Sequence, residues 1–320
     1  MPEAITFTCS LEERFAGWRA DRAAAAVLPE YSRGRLQAWM KEGCLTLDGS
    51  PVRPSQRVTG GELLRLDAEL PDETEVLPQD MPLEVLASDP HFLVLDKPAG
   101  LVVHPAAGNR DGTLLNALLH HDPALAAIPR AGIVHRLDKD TTGVMVVARS
   151  LQAHASLVRQ LQARSMRRVY EAVVCGAAPG DGTVDAPIGR NPRDRQRMAV
   201  VPSGRRAVSH YRVLRRFPHF SRLEVSLETG RTHQIRVHMQ HVGMPLVGDP
   251  LYGRRTARRH DLPAAAREAI GRFPRQALHA RTLSFEHPET GRAVSFEAPL
   301  PGDMAALLDT LDRVDTGSDA

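Results

Sequence analysis

Ala131-Gly-Ile-Val-His-Arg-Leu-Asp-Lys-Asp-Thr-Thr-Gly-Val-Met-Val-Val-Ala-Arg149 pins a polar cluster, His135 to Thr142, between the apolar runs Ile133-Val134 and Val144 to Ala148. The second run is rich in β-branched residues and predicts a buried strand. Asp138 and Asp140, just ahead of it, would ordinarily bond nearby backbone amides in a turn. A calcium loop is one alternative, since Asp138, Asp140, Thr142 and Gly143 are suitably spaced. Such a loop closes with a bidentate Glu at about its twelfth position. Arg149 stands there, so calcium is excluded.

Working outward, Ser150 starts a helix with Leu151, Ala155, Val158 and Leu161 inward. Arg167 to Cys175 follows as a strand with Tyr170 on the face opposite Val169 and Glu171. A tyrosine in a strand is ordinarily a half-buried packing residue. The segment Arg190-Asn-Pro-Arg-Asp-Arg-Gln-Arg-Met-Ala is too polar for a core and predicts a basic loop. Leu223, Val225 and Leu227 alternate with polar residues, giving a half-buried strand that Thr229-Gly230 breaks. Thr232 is expected to cap a helix whose Ile235, His238, Met239 and Val242 share one face. Arg231 then sits at a strand-to-helix corner, where catalytic groups often lie. His233 and His238 miss the i, i+4 spacing of a helical zinc pair, and no metal is expected.

Upstream, Leu83 to Leu86 and Phe92 to Leu95 read as strands, and Thr113 caps a helix with a leucine stripe. His104, before Pro105, is a turn residue given no chemistry. Arg254 to Arg275 reads as a charged insertion, 278–285 and 293–296 as a last hairpin, and 313–320 as a tail.

The chain of 320 residues suffices for two domains. It shows no apolar run of membrane-spanning length and no signal segment, so a soluble, cytoplasmic protein is expected. Cys9, Cys44 and Cys175 lack metal or disulfide spacing. The net charge is only +3, but nine arginines against one acid, Asp194, fall between Arg190 and Arg216. Such a patch favours a polyanion. Near the N-terminus, residues 1–18 show no element. Leu36, Trp39 and Met40 recur at helical spacing behind the N-cap Ser32, and Asp48-Gly49 marks a hairpin. Pro71 to Pro82 is acidic and proline-rich and reads as a linker.

Two family resemblances compete at the central stretch. Asp138-Lys-Asp-Thr-Thr resembles the signature of haloacid-dehalogenase-type phosphotransferases, but His135 and Arg136 interrupt the strand before it. The later acidic pair which that family needs is missing, with only Gly248-Asp249-Pro250 downstream. His135-Arg-Leu-Asp138 with Thr141-Thr-Gly143 resembles the central motif of RluA-type pseudouridine synthases. Lys97-Pro-Ala-Gly-Leu, Arg168-Val-Tyr170, and Gly230-Arg-Thr-His-Gln-Ile-Arg-Val-His238 with Gly248-Asp-Pro-Leu-Tyr-Gly253 resemble that family's other motifs, in order. Arg19 to Arg33 resembles the start of an S4 RNA-binding domain.

The resemblance implies an α+β chain: an S4-like domain over 19–70, the linker 71–82, and a catalytic domain over 83–312. The latter would have a mixed, mainly antiparallel sheet with flanking helices and a central cleft. It implies isomerisation of uridine to pseudouridine without a cofactor, on a structured stem-loop of large-subunit ribosomal RNA or on a precursor of that subunit. No membrane and no obligate protein partner is implied. Asp138 would start glycosidic cleavage, Arg231 would keep it ionised, and Tyr170 would pack on the uridine. Arg136 would fill the space left by the extruded base. Ser32, Arg33, Arg35, Lys41, Arg190, Arg193, Arg195 and Arg197 would contact RNA. An RNA-binding protein with an inactive catalytic domain is the alternative.

Overall fold

Seven consecutive buried residues, Thr142–Ala148, form the strand β7, and every one of them is shielded from water. In the computed structural model, β7 is paired on both sides. Along one edge it runs antiparallel to β6 (Phe92–Lys97), from Phe92 opposite Ala148 to Lys97 opposite Gly143. Along the other it runs parallel to β14 (Leu278–Glu286), through His279 opposite Thr142 and Ala280 opposite Gly143. A strand enclosed by neighbours and by apolar layers reads as a continuous apolar run, as Val144 to Ala148 does.

The structure describes residues 3–31, 33–70, 76–106, 108–194, 197–253 and 262–316. The chain divides into two compact units, Met1–Glu75 and Val76–Ala320. In the first, helices α1 (Ala20–Val27) and α2 (Arg33–Glu42) accompany a four-stranded sheet. Its strands are β1 (Glu3–Ser10), β2 (Leu45–Leu47), β3 (Ser50–Pro51) and β4 (Leu63–Leu70), in the order β1-β4-β2-β3. Leu36, Trp39 and Met40 turn inward from α2, as their spacing requires. Asp48 and Gly49 both take positive φ in the tight β2–β3 turn. The segment 1–18, left without an element by its sequence, contributes β1, which pairs with β4 along its whole length. Alternation of Ile5, Phe7 and Cys9 toward the core accounts for it.

The second unit is built on the sheet β5-β6-β7-β14-β8-β13-β12-β9, with β15 on β14. The remaining strands are β5 (Glu84–Ser88), β8 (Arg167–Cys175), β9 (Gly182–Asp185), β12 (Val208–Arg216), β13 (Phe220–Leu227) and β15 (Ala293–Glu297). All pairings except β7–β14 are antiparallel. Alternate residues of β8 serve two cores. Tyr170, Ala172 and Val174 join the core shared with α3 (Leu114–His121), α4 (Leu151–Ala163) and α5 (Gln234–His241). Val173 and Cys175 join that of α6 (Ala264–Arg272) and α7 (Gly302–Thr316). The expected basic loop is a small hairpin, with β10 (Ile188–Arg190) paired to β11 (Met198–Val200) and the polar residues at its tip. The described part of the charged insertion holds α6, and the expected tail is helical in α7 as far as Thr316. Met304, Leu307, Leu308 and Leu311 bury one face of α7. No helix among the described residues is long and apolar enough to cross a membrane.

The β7–β14 crossing admits no side chain at Gly143. Its φ is +116°, and a Cβ there would lie 2.2 Å from the carbonyl oxygen of Ala280. Gly143→Ala is therefore expected to lower unfolding stability by about 3 kcal/mol or more in urea denaturation. A loss below about 1 kcal/mol would show that the two strands separate easily.

Candidate active site

Between Ile133 and β7 the chain runs as an irregular loop held at several points by contacts from elsewhere in the fold. His135 is turned inward, and its Nε2 accepts the backbone N–H of Val146 at 3.1 Å. Lys97 is buried at the end of β6, and its Nζ donates to three carbonyl oxygens: Pro98 (2.7 Å), Leu101 (2.9 Å) and Lys139 (2.8 Å). Burial lowers the Lys97 pKa to about 8, with Asp140 and Asp138 opposing the shift, so the ammonium keeps its proton at neutral pH. From the other side Arg275 Nη1 donates to the carbonyl of Asp140 at 3.1 Å, while Asp303 grips the rest of its guanidinium. Gln276 Nε2 donates to Thr141 Oγ1 at 3.1 Å, and the Thr142 hydroxyl bonds His279 Nδ1 at 2.9 Å. Residues far apart in sequence, Lys97 of the first motif among them, thus hold one short loop.

That loop presents Asp138, its side chain 19% exposed, to a cleft of about 570 Å³. Asp138 Oδ2 accepts from Arg236 Nη1 at 2.9 Å. The remaining edge of the same guanidinium is taken by Asp249, with Nε to Oδ2 at 2.7 Å and Nη2 to Oδ1 at 3.0 Å. Asp249 is fully buried, and its Oδ1 also accepts the backbone N–H groups of Leu251 and Tyr252, both at 2.9 Å. Burial disfavours the charge on Arg236, but its bonds to Asp249 and Asp138 outweigh it and raise the pKa. The Tyr252 ring lies 5.1 Å from the guanidinium carbon. Asp138 Oδ1 has no partner among the described residues and is the oxygen left for a ligand.

The expected pairing of Asp138 with Arg231 is therefore corrected: Arg236 makes it. Gln234, not Thr232, organises the corner, accepting from the Thr229 hydroxyl (2.7 Å) and the Arg231 N–H (3.0 Å) through Oε1. The helix begins only at Gln234, with His233 in the left-handed region as its N-cap. This phase carries Arg236 in the first turn toward Asp138. Arg231 turns its Nε to the carbonyl of Arg206 at 3.1 Å and lines the outer cleft. Arg236 stands within the quoted third motif, five residues on. The signal available for it was Asp249 in the same motif, an acid in an apolar stretch that needs a cationic partner, which the structure supplies as Arg236.

Tyr170 is buried on β8 and lines the cleft, and burial raises its pKa. Arg136 is exposed on the cleft wall, and no described residue bonds its guanidinium. His104, assigned no chemistry from sequence, also lines the cleft, with its Nε2 buried and without a hydrogen-bond partner among the described residues. In the hairpin, Arg190 and Arg193 are exposed, and Arg197 Nε pairs with Asp194 at 3.0 Å. On α2, Arg33 Nη2 reaches the buried Asp21 at 2.9 Å, Arg35 lies 5.8 Å from the Trp39 ring centre, and Lys41 is exposed. Ser32 and Arg195 lie outside the described residues.

A carboxylate held by a buried arginine, in a cleft of about 570 Å³ lined by a tyrosine and several arginines, fits an enzyme whose substrate is a polyanion such as a nucleic acid. The family described as RNA pseudouridylate synthase matches residues 91–241, which span Asp138, Tyr170 and Arg236. The ribosomal large subunit pseudouridine synthase D of Pseudomonas aeruginosa is 55% identical over 97% of this chain and 97% of its own. That of Escherichia coli K12 is 46% identical over 97% of this chain and 96% of its own. Among solved structures, human RNA pseudouridylate synthase domain containing 4 has a TM-score of 0.57 at 26% identity, covering 72% of this chain and 93% of that one. The chain belongs to the RNA pseudouridylate synthase family and is an RNA pseudouridine synthase, an isomerase. The phosphotransferase reading falls with this assignment, and the geometry agrees: Asp249, the downstream acid, meets Asp138 through Arg236.

The anchoring of the loop carries a pH signature. Burial, with Arg168 nearby, lowers the His135 pKa to about 3, and protonation would also destroy the acceptor that Val146 N–H needs. A histidine with a depressed folded pKa stabilises the fold above its unfolded value of about 6.5, and the contribution is lost as pH falls toward the folded value. Between pH 6.5 and 5 this group should remove about 1–2 kcal/mol of stability. Urea titrations should show His135→Gln with a correspondingly flatter profile over that window, and an unchanged slope would contradict the assignment.

Proposed function

We propose that this enzyme converts uridine to pseudouridine in a structured stem-loop of large-subunit ribosomal RNA, and that Asp138 is the carboxylate that starts the reaction. The observation that carries this is the single 2.9 Å bond from Arg236 to one oxygen of Asp138, with the other oxygen open to the cleft. In the isomerisation the N1–C1′ bond breaks, the uracil turns, and C5 bonds to C1′. C5 loses its proton and N1 gains one, so nothing is oxidised and no group leaves. Breaking the N1–C1′ bond needs a charged carboxylate beside the ribose–base bond, and a guanidinium stays charged at any working pH. Arg236 thus sets a permanent positive charge 2.9 Å from Asp138 Oδ2. Tyr170, with its phenol protonated, packs on the base or ribose.

A base inside a stem cannot reach Asp138, and extruding it costs a few kcal/mol. Arg136, exposed on the wall and unbonded, is placed to stack in the gap. Arg231 in the cleft and Arg190, Arg193 and Arg197 on the hairpin meet phosphates, as does Arg195, and such contacts fix register rather than sequence. The first unit acts as an S4-like RNA-binding domain through Arg33, Arg35 and Lys41 on α2 and through Ser32, with Asp21 setting the angle of Arg33. The P. aeruginosa and E. coli relatives, both ribosomal large subunit pseudouridine synthases D by name, support the large-subunit target.

Asp138→Asn should reduce tritium release from C5-labelled ribosomal RNA by about 10³-fold or more, while the affinity for RNA is kept. Equal release from variant and wild type would sink the assignment. The two arginines should separate in the same assay. Arg236→Lys loses the fork that joins two carboxylates, so kcat should fall about 100-fold. Arg231→Ala should instead raise the KM for RNA more than it lowers kcat. The reverse pattern would restore Arg231 as the partner of Asp138.

A further inference from the structure

His233 holds a backbone conformation that an L-residue adopts at a cost, φ +57°, immediately before α5. Its imidazole lines the cleft, with Nε2 3.9 Å from Asp138 Oδ2 and Nδ1 2.9 Å from Tyr252 Oη. Tyr252 Oη also accepts the backbone N–H of Met198 at 3.0 Å. Met198 opens β11, the return strand of the basic hairpin. A backbone N–H can only donate, so it occupies a lone pair of the phenol oxygen. The single phenol proton is then directed at His233 Nδ1, which must accept it. A neutral imidazole carries one proton, and with Nδ1 accepting that proton is on Nε2, facing the carboxylate. Burial, only partly opposed by Asp138, lowers the His233 pKa and favours the neutral ring.

We propose that His233 is a second positioning residue for Asp138, and that Tyr252 sets its tautomer from the basic hairpin. The chain of donors runs from Met198 N–H to Tyr252 Oη, from Tyr252 O–H to His233 Nδ1, and from His233 Nε2–H toward Asp138 Oδ2. It rests on the reading of Asp138 as the carboxylate that starts glycosidic cleavage. At 3.9 Å the last step is longer than a hydrogen bond, and a shift of about 1 Å on RNA binding completes it. Oδ2 then has two donors, Arg236 and His233, and Oδ1 keeps its lone pairs for the uridine. The other tautomer would set an imidazole lone pair against the carboxylate and turn it away. Seating RNA on the hairpin thereby acts on the geometry of Asp138 through one backbone amide and two side chains, Tyr252 and His233.

The test is ¹⁵N NMR of the full-length, histidine-labelled enzyme, with His233 assigned from the spectrum of His233→Gln, alongside single-turnover conversion of a ribosomal RNA stem-loop. The wild type is expected as the Nε2–H tautomer. Tyr252→Phe removes the hydroxyl while keeping the ring beside Arg236. It should shift His233 toward Nδ1–H and slow the single-turnover rate about 10- to 100-fold, with the RNA Kd unchanged within about twofold. His233→Gln, whose amide still offers an N–H, should keep more activity than His233→Leu. An Nδ1–H tautomer in the wild type, or a Tyr252→Phe variant with the wild-type rate, overturns the relay while leaving the role of Asp138 intact. A fully active Asp138→Asn instead removes the reading beneath it.

Discussion

One guanidinium between two carboxylates governs this active site. Arg236 is only 5% exposed, and it gives two of its donors to the buried Asp249 and one to the partly exposed Asp138. The division is unequal for a reason. Asp249 is fixed by two backbone amides in addition to the arginine, so it serves as the fixed end against which the fork is aligned. Removing one partner of a buried ion pair leaves an uncompensated charge, at a cost of about 3–5 kcal/mol. Such an arrangement is stiff, and stiffness is what a carboxylate needs if it must stay ionised and aimed while a base turns beside it.

The same constraint explains why so many buried polar groups crowd around an eight-residue loop. An irregular backbone inside a core must find partners for its amides and carbonyls. Here Lys97 and Arg275, one cation on each side, take the carbonyls of Lys139 and Asp140, while Gln276 and His279 hold the hydroxyls of Thr141 and Thr142. β14 makes this possible. It returns late in the chain to insert between β7 and β8, bringing its leading residues under the loop and separating the Asp138 segment from the strand that carries Tyr170. The close crossing at Gly143 is the steric condition for that insertion.

Much of this was legible in the sequence, and the failures are informative. The apolar run after Gly143, the Tyr170 strand and the helix after Thr113 stand where periodicity put them. So do the inward residues of α2. The helix after Ser150 is present but turned from the expected face: Ala153, Leu157 and Gln160 are buried, while Leu151 and Ala155 are exposed. Asp138 was visible because a polar cluster between two apolar runs needs a reason. Arg236 was missed by choosing the corner residue, Arg231. Corner position is a property of the chain, whereas the direction of a side chain depends on helix phase. That phase was set by the left-handed His233 and the folded-back Gln234, neither of which has a sequence signature of its own. Strand β1 and helix α7 were passed over because their apolar faces only become meaningful beside partners distant in sequence. The basic loop became a hairpin because three ladder positions are too few to register as a pattern.

Whether Asp138 and Arg236 act as one unit can be measured directly by a double-mutant cycle in single-turnover conversion of ribosomal RNA, using Asp138→Asn, Arg236→Met and the two combined. If the arginine works through the carboxylate, the combined variant should be no more than about threefold slower than Asp138→Asn alone. Losses that multiply would mean that the two side chains contribute independently, and the shared guanidinium would lose its central place.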